Sequence, residues 1–267
     1  LGEQSMKGEI ALKKGTKLNP ASIAFLTTLG ITKVKVFRKP KIAILVTGNE
    51  LAEPGNPLQH GQIYESNAIM LSTALQQMGY NNLTMHKVND DYDNTVSLLA
   101  VLISKHDVVL VSGGISVGDY DFVGKALNEL DVEQLFYKVK QKPGKPLFFG
   151  QKDDKLIFAL PGNPVSTFMC LQLYIRQWLN NSLRLFPKEA KVVLDAEVVF
   201  KPDLMYCLQC NLGYSEQGHL VATPVIGNGS GDFSNLIASD GFIILPQGNT
   251  VFKKGSVHSF ISFRYPQ

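Results

Sequence analysis

The run Asp107-Val108-Val109-Leu110-Val111-Ser112-Gly113-Gly114-Ile115-Ser116-Val117-Gly118-Asp119-Tyr120-Asp121 passes from a β-branched apolar stretch directly into glycine. A short apolar run bounded by a turn reads as a strand buried on both faces, and such strands belong to parallel sheets covered by helices on each side. Three glycines within six residues then let backbone amides approach an anion closely, and a helix beginning just beyond adds its positive dipole end. A lone Gly-Gly is often no more than a surface turn. Its place after a buried strand makes this one a candidate phosphate loop.

Working outward, Ile42-Ala43-Ile44-Leu45-Val46 repeats the texture. Helical spacing follows over residues 67–78, where Ile69, Leu71, Leu75 and Met78 carry the apolar stripe, Ser66 or Asn67 can cap the start and Gly79 can end it. Residues 83–88 read as a second strand, 93–104 as a helix, 107–111 as a third strand and about 122–130 as a helix. Strands near 146–150 and 155–160 and a helix over 164–179 complete a βαβ rhythm that predicts a parallel, doubly wound sheet. After Pro187 the pattern changes to short alternating segments at 192–200, 206–212, 220–224, 241–245 and 257–263, separated by Gly, Asn and Pro. That pattern predicts a small antiparallel β-domain. The first 38 residues carry turn signals at Lys14-Gly15 and Asn19-Pro20 and a short helix to Leu29, and look like the end of another unit. The chain opens on Leu1 in mid-pattern, which predicts a missing upstream portion. The expected division is residues 1–38, 39–183 and 184–267.

A chain of 267 residues exceeds most single cores, in keeping with more than one domain. Hydrophobic residues at 45% and charged residues at 18% are ordinary for a globular protein. A net charge of +3 does not point to nucleic acid, whose binding surfaces cluster Lys and Arg. No apolar stretch approaches the roughly 20 residues that cross a bilayer, so no membrane association is expected. Three cysteines cannot build a full disulfide framework, and Cys170 falls in an apolar helical pattern; a cytoplasmic location is expected. Cys207 and Cys210 stand three apart in a strand, hence on opposite faces, and no second pair completes a zinc site. Trp178, at helical spacing from Leu171 and Ile175, reads as core.

Ligands of open α/β sheets bind beyond the carboxyl ends of the strands. Besides the glycine loop, one such end is Thr47-Gly48-Asn49-Glu50-Leu51, followed by Gly61-Gln62-Ile63-Tyr64-Glu65-Ser66-Asn67. Another is double: Lys142-Pro143-Gly144-Lys145-Pro146 precedes a strand, and Leu160-Pro161-Gly162-Asn163-Pro164-Val165-Ser166 links a strand to a helix. Lys138, Lys140, Lys142 and Lys145 concentrate positive charge where two prolines restrict the loop, a clamp suited to an anion. A lysine run is usually a solvated face, and Lys140 is expected to be one. Lys142 and Lys145, bracketed by prolines, are the functional candidates.

These five motifs, in this order, resemble the molybdopterin molybdenumtransferase family of the MoeA and gephyrin E-domain type. The resemblance runs from Gly2 through the β-domain, where Gly229-Ser230 and Gly241-Phe242-Ile243-Ile244-Leu245-Pro246 are similar to a weaker signature. It implies an α/β fold, a doubly wound MogA-like sheet domain followed by a small antiparallel β-barrel-like domain. It also implies a reaction in which adenylyl-molybdopterin and molybdate give molybdenum cofactor and AMP, with Mg²⁺. By matching motif positions, Glu50, Asp90, Asp121, Lys138 and Lys142 would be catalytic, with Asp121 and Glu50 gripping the Mg²⁺. Thr47, Gly48, Ser112, Gly113, Gly114, Ser116, Gly118, Lys145, Pro161, Gly162 and Pro164 would form the pocket for the anionic pterin. On residues alone, Asn89-Asp90-Asp91 is a turn and helix start. The resemblance further implies a homodimer, with the molybdopterin adenylyltransferase as a candidate partner. Gly2-Glu3-Gln4 departs from the family, which often has an acidic residue after Gly-Glu. Two other readings stay open: a non-catalytic pterin-binding scaffold or paralogue, and an adenylyltransferase, against which the appended β-domain speaks.

Overall fold

Residues Ile42–Thr47 form β1, and every one of them is buried, as a strand covered on both faces must be. The computed structural model describes residues 6–115, 122–227 and 233–264. Ahead of β1, helix α1 spans Pro20–Thr28: Asn19 Oδ1 accepts the Ser22 amide and Ser22 Oγ accepts the Asn19 amide, a reciprocal cap. Pro20 occupies the first turn, where its missing N–H has no partner to lose.

Beyond β1 come the short paired strands β2 (Leu51–Ala52) and β3 (Ile63–Tyr64), helix α2 (Asn67–Gln77), β4 (Leu83–Val88), α3 (Tyr92–Lys105), β5 (Val108–Ser112) and α4 (Phe122–Glu129). Then follow β6 (Glu133–Tyr137), β7 (Gln141–Lys142), β8 (Phe148–Lys152), β9 (Lys155–Leu160), α5 (Pro164–Cys170), a π-helical turn (Leu171–Ile175) and α6 (Arg176–Ser182). The main sheet has the order β4-β1-β5-β9-β8-β6. Strands β4, β1, β5 and β9 are mutually parallel. Alternate residues of β1 divide between two cores: Ile42, Ile44 and Val46 pack with Leu71, Leu75, Leu171 and Ile175 of α2 and the α5–α6 helix, while Ala43 and Leu45 pack with Leu99, Leu102 and Leu127 of α3 and α4. This is the doubly wound arrangement, and each half of it follows from the two-residue period of a strand.

Three local expectations need correction. The sheet is not wholly parallel: β8 runs antiparallel to β9 and to β6. Lys152 pairs with Lys155 across Asp153-Asp154, and a two-residue turn can join only antiparallel strands, whereas a parallel crossover takes a dozen or more residues. In α2, Ile69 is 55% exposed, and the buried stripe is Ala68, Leu71, Ser72, Ala74 and Leu75. The apolar face is set by which side meets β1, and small Ala68 and Ala74 let the helix approach. Ser66 makes no side-chain cap; Glu65 Oε1 accepts the Ala68 amide at 2.8 Å instead.

The remaining residues form β10 (Ala190–Leu194), β11 (Val198–Val199), β12 (Met205–Tyr214), β13 (Leu220–Pro224), α7 (Phe233–Ala238), β14 (Gly241–Leu245), β15 (Val251–Phe252) and β16 (Val257–Ser262). The order β13-β10-β16-β14-β12, with β12 pairing β13 again, closes a five-stranded barrel, and closure removes the exposed edges of a small sheet. The β10–β13 pair is parallel, the others antiparallel. Val192, Leu194, Leu208, Cys210, Ile243 and Phe260 fill its core. Cys207, on the opposite face of β12, belongs to the core of the α/β unit, as a spacing of three in a strand requires. Strand β7 adds to the barrel by pairing parallel with β12, Gln141 with Met205 and Lys142 with Tyr206. Among the described residues no helix is long and apolar enough to cross a membrane.

Candidate functional site

The carboxyl ends of β4, β1, β5 and β9 lie side by side and are tied together by the residues that follow them. Thr47 Oγ1 donates to Asp90 Oδ1 at 2.7 Å, the Asn49 amide donates to Asp90 Oδ2 at 3.2 Å, and the Asp90 amide donates to Asn49 Oδ1 at 3.0 Å. Both Asp90 oxygens thus orient the turn after β1. Asn67 Nδ2 donates to Ser112 Oγ at 2.9 Å and to Gly162 O at 2.8 Å, joining α2 to the ends of β5 and β9. Gly113 and Gly114 have φ of +92 and +65, and an added Cβ would lie 2.4 Å from Thr47 O at the first and 2.6 Å from Val123 Cγ2 at the second. Only glycine meets both demands. A Cβ on Gly162 would contact Gly113 Cα at 3.7 Å, so the two loops abut. Glu50 is exposed, its carbonyl accepts the Ile63 amide at 2.9 Å, and its carboxylate folds back over Gly48 with no hydrogen-bond partner among the described residues.

The four lysines share one structural feature that their sequence spacing hid: they lie in the tip of the β6–β8 hairpin, residues 138–147, closed by Tyr137 pairing with Phe148. The Lys138 amide donates to Leu147 O at 3.0 Å and the Val139 amide to Lys145 O at 2.9 Å. Buried Gln141 underpins the tip. Its Nε2 donates to Gly144 O at 2.8 Å, and its Oε1 accepts the Tyr174 hydroxyl. Burial raises the pKa of Tyr174 and of Cys170, and pushes Cys207 up to about 12. These groups therefore stay neutral and put no anion beneath the lysines. From the barrel side, Phe200 and Tyr206 stack at 4.2 Å, and the Lys142 ammonium lies 5.7 Å and 6.0 Å from their centroids, a cation–π arrangement that holds the chain-end charge in place.

A cleft of about 440 Å³ opens between this tip and the start of α5, with Lys142, Pro143, Lys145, Pro161, Gly162 and Ser166 in its walls. Two ammonium groups over a largely apolar, proline-restricted wall suit an anion carried on an organic ring system. The structure brings Lys142, Lys145, Pro161 and Gly162 together here. Thr47, Gly48, Glu50, Asp90, Ser112, Gly113 and Gly114 line the adjoining strand ends, connected through the Gly113–Gly162 contact. Lys138 shares the tip, but its Nζ sits 5.0 Å from the Tyr137 centroid and it is not in the cleft wall; nor is Pro164, the first residue of α5. Lys140 is exposed, as expected. Asp121, Ser116, Gly118, Gln4 and Gly229-Ser230 lie outside the described residues, among which no group of three His, Cys, Asp or Glu could hold a metal. Sequence spacing singles out none of Gln141, Tyr174, Phe200 and Tyr206, and gives Asn67 only a capping role. A lone Gln in a lysine run and aromatics in alternating strands carry no local signal. A larger groove of about 720 Å³, walled by residues 9–39 with Leu183 and Leu185, shares no residue with these strand ends.

With this geometry, residues 43–181 match the family model described as "Probable molybdopterin binding domain", and residues 191–263 match that of the "MoeA C-terminal region (domain IV)". The chain is similar to the molybdopterin molybdenumtransferase of Synechocystis sp., 34% identical over 258 residues that cover 96% of this chain and 64% of that protein. It is 33% identical to the molybdopterin molybdenumtransferase of Bacillus subtilis over 259 residues, 95% of this chain and 60% of that protein. A solved molybdopterin biosynthesis MoeA protein from Pyrococcus horikosii superposes with a TM-score of 0.79 at 31% identity, covering 95% of this chain and 62% of that one. The chain therefore spans less than two thirds of the length of these relatives.

Proposed function

The chain belongs to the molybdopterin molybdenumtransferase family, and on that premise we propose that the protein inserts molybdenum from molybdate into adenylyl-molybdopterin, releasing molybdenum cofactor and AMP. The observation that carries this reading is the meeting of Lys142 and Lys145 with Pro161 and Gly162 in one cleft beside the glycine loop. Molybdate, the pterin phosphate and the adenylyl phosphate are all anions, and gathering them requires fixed cations to offset their repulsion. Lys142 and Lys145 take that role in the cleft, with Lys138 at its margin. The backbone amides around Ser112, Gly113, Gly114, Ser116 and Gly118 receive a phosphate. Asp90 acts by holding Thr47 and Asn49, and so the turn that carries Gly48 and Glu50.

Glu50 and Asp121 are the carboxylates we assign to Mg²⁺, a hard ion that takes oxygen ligands and keeps several waters; the free carboxylate of Glu50 fits that donor set. When bound, the ion supplies positive charge beside the phosphates. We further read the assembly as a homodimer, as the family resemblance implies; Met6, Ile10 and Val36, at 65%, 78% and 70% exposed, are apolar side chains available to a partner. The enzyme that adenylylates molybdopterin is the expected supplier and partner. Three free buried cysteines fit a reducing, cytoplasmic setting. Residues 39–183 and 184–267 are taken as the two domains following the segment 1–38.

Incubation of the protein with adenylyl-molybdopterin and molybdate tests the reading, with AMP release as the expected result. Binding without AMP would replace it by a scaffold role, and consumption of ATP with molybdopterin would replace it by adenylylation.

A further inference from the structure

Away from the lysine cleft, the seam between the α/β unit and the barrel holds a cation with no ion pair among the described residues. Arg176 follows the π-helical turn, and its Nη1 donates to Ser262 O on β16 at 2.7 Å. Burial lowers its pKa, and no neighbouring carboxylate offsets that among the described residues. A guanidinium cannot shed its proton near neutral pH, so its desolvation calls for an oxyanion to take the remaining N–H groups.

Two further observations meet at the same place. Cavities of about 450 Å³ and about 500 Å³ adjoin at Arg176, Asn180 and Phe186. Gln172, one turn before Arg176, is 4% exposed, lines the first cavity, and has an Oε1 that is buried with no hydrogen-bond partner. An orphaned buried acceptor of this kind is destabilising unless a donor reaches it. Around these groups, Ile244 and Ile261 form an apolar wall. Lys17 and Lys188 stand exposed at the second cavity and enter no ion pair among the described residues. The acidic residue nearby, Glu189, is engaged by Lys191 at 3.1 Å.

We propose that this seam is a second binding site, for a small organic oxyanion: a phosphate or carboxylate on an aromatic or apolar body that also carries an N–H or O–H donor. Arg176 takes the oxyanion in the bidentate manner that suits a planar guanidinium. Gln172 Oε1 accepts the donor, Ile244 and Ile261 face the ring, and Lys17 and Lys188 attract the charge. Because α6 and β16 belong to different units, occupancy joins them. The site stands apart from Lys142 and does not depend on the molybdenum reading.

Calorimetric titration tests it, with phenyl phosphate, 4-hydroxybenzoate and inorganic phosphate as probes. At least one aromatic anion should bind the parent and Lys142→Ala equally. Arg176→Gln, which keeps a donor for Ser262 O, should weaken that binding about tenfold or more, and Lys188→Glu should weaken it several-fold. Inorganic phosphate should bind more weakly than phenyl phosphate. If Arg176→Gln fails to melt cooperatively, Lys188→Glu at its exposed position decides. The proposal is overturned if neither aromatic anion binds the parent at millimolar concentration, if both variants bind as the parent does, if Lys142→Ala abolishes binding, or if inorganic phosphate binds as well as its phenyl ester.

Discussion

The two walls of the candidate cleft are held in place by different means. The strand-end wall is made of backbone: Gly113, Gly114 and Gly162 pack against Thr47, Val123 and one another, and Asn67 and Asp90 pin the loops by hydrogen bonds among neighbouring strand ends. The lysine wall is made of side chains on a hairpin tip, which is propped by Gln141 and Tyr174 from below and by Phe200 and Tyr206 of the barrel from the side. A wall of backbone cannot give way without disturbing the sheet. A wall of propped side chains can be loosened one support at a time, so the two should fail differently.

Gly113→Val should have the largest effect. It forces a β-branched residue into φ +92 with a Cβ 2.4 Å from Thr47 O, and should lower stability by about 3 kcal/mol or more while abolishing AMP release. A urea denaturation curve displaced by less than about 1 kcal/mol would show that the glycine loop is not rigidly packed. Next comes Tyr174→Phe, which strips the donor from buried Gln141 Oε1 and should cost about 1–2 kcal/mol. It should also raise KM for adenylyl-molybdopterin several-fold with a smaller change in kcat. If stability falls and KM stays put, the prop is structural only and the two walls do not differ in this way.

Lys142→Ala should leave the melting temperature almost where it was, since an exposed cleft side chain contributes little to the core. Its effect should be on function: molybdate or pterin binding weakened about tenfold, without rescue by added Mg²⁺. Normal binding would move the functional charge to Lys145 or Lys138. The smallest effect concerns the base of the sheet. Hydrogen bonding from Arg38, with help from the Lys41 amide and from the charges of Arg38 and Lys155, holds Asp107 down at about 2. A depressed carboxylate adds stability above its unfolded pKa of about 3.9 and loses it as pH falls toward 2. Asp107→Asn should therefore flatten the stability profile between about pH 4 and pH 2 and leave its shape at neutral pH unchanged; an identical acid limb in both proteins would remove Asp107 from the account.

The same division separates what could be read early from what could not. The run from Asp107 to Gly114 sufficed for a buried strand and a loop after it, because continuous β-branched residues admit few other structures and adjacent glycines mark a turn. The Asp153-Asp154 turn was equally local, yet its meaning depended on recognising residues 148–152 and 155–160 as a hairpin, which breaks the parallel rhythm at one edge. Ile69 was misplaced because α2 has apolar residues on more than one side, and only contact with β1 selects the buried one.

By itself the sequence determined the strands and helices of the parallel core, the glycine loop, the proline-bounded lysines and the resemblance that led to the family, since each rests on residues close together in the chain; the strand Glu133–Tyr137 and the helix Phe233–Ala238 were not among them. The tertiary structure alone decided that Gln141 and Tyr174 support the lysine tip, that stacked Phe200 and Tyr206 meet Lys142, and that Arg176 lies at the seam bonded to Ser262 O with no carboxylate beside it among the described residues. Those contacts form when segments far apart in sequence fold onto one another, and no periodicity or spacing records which distant side chain will arrive.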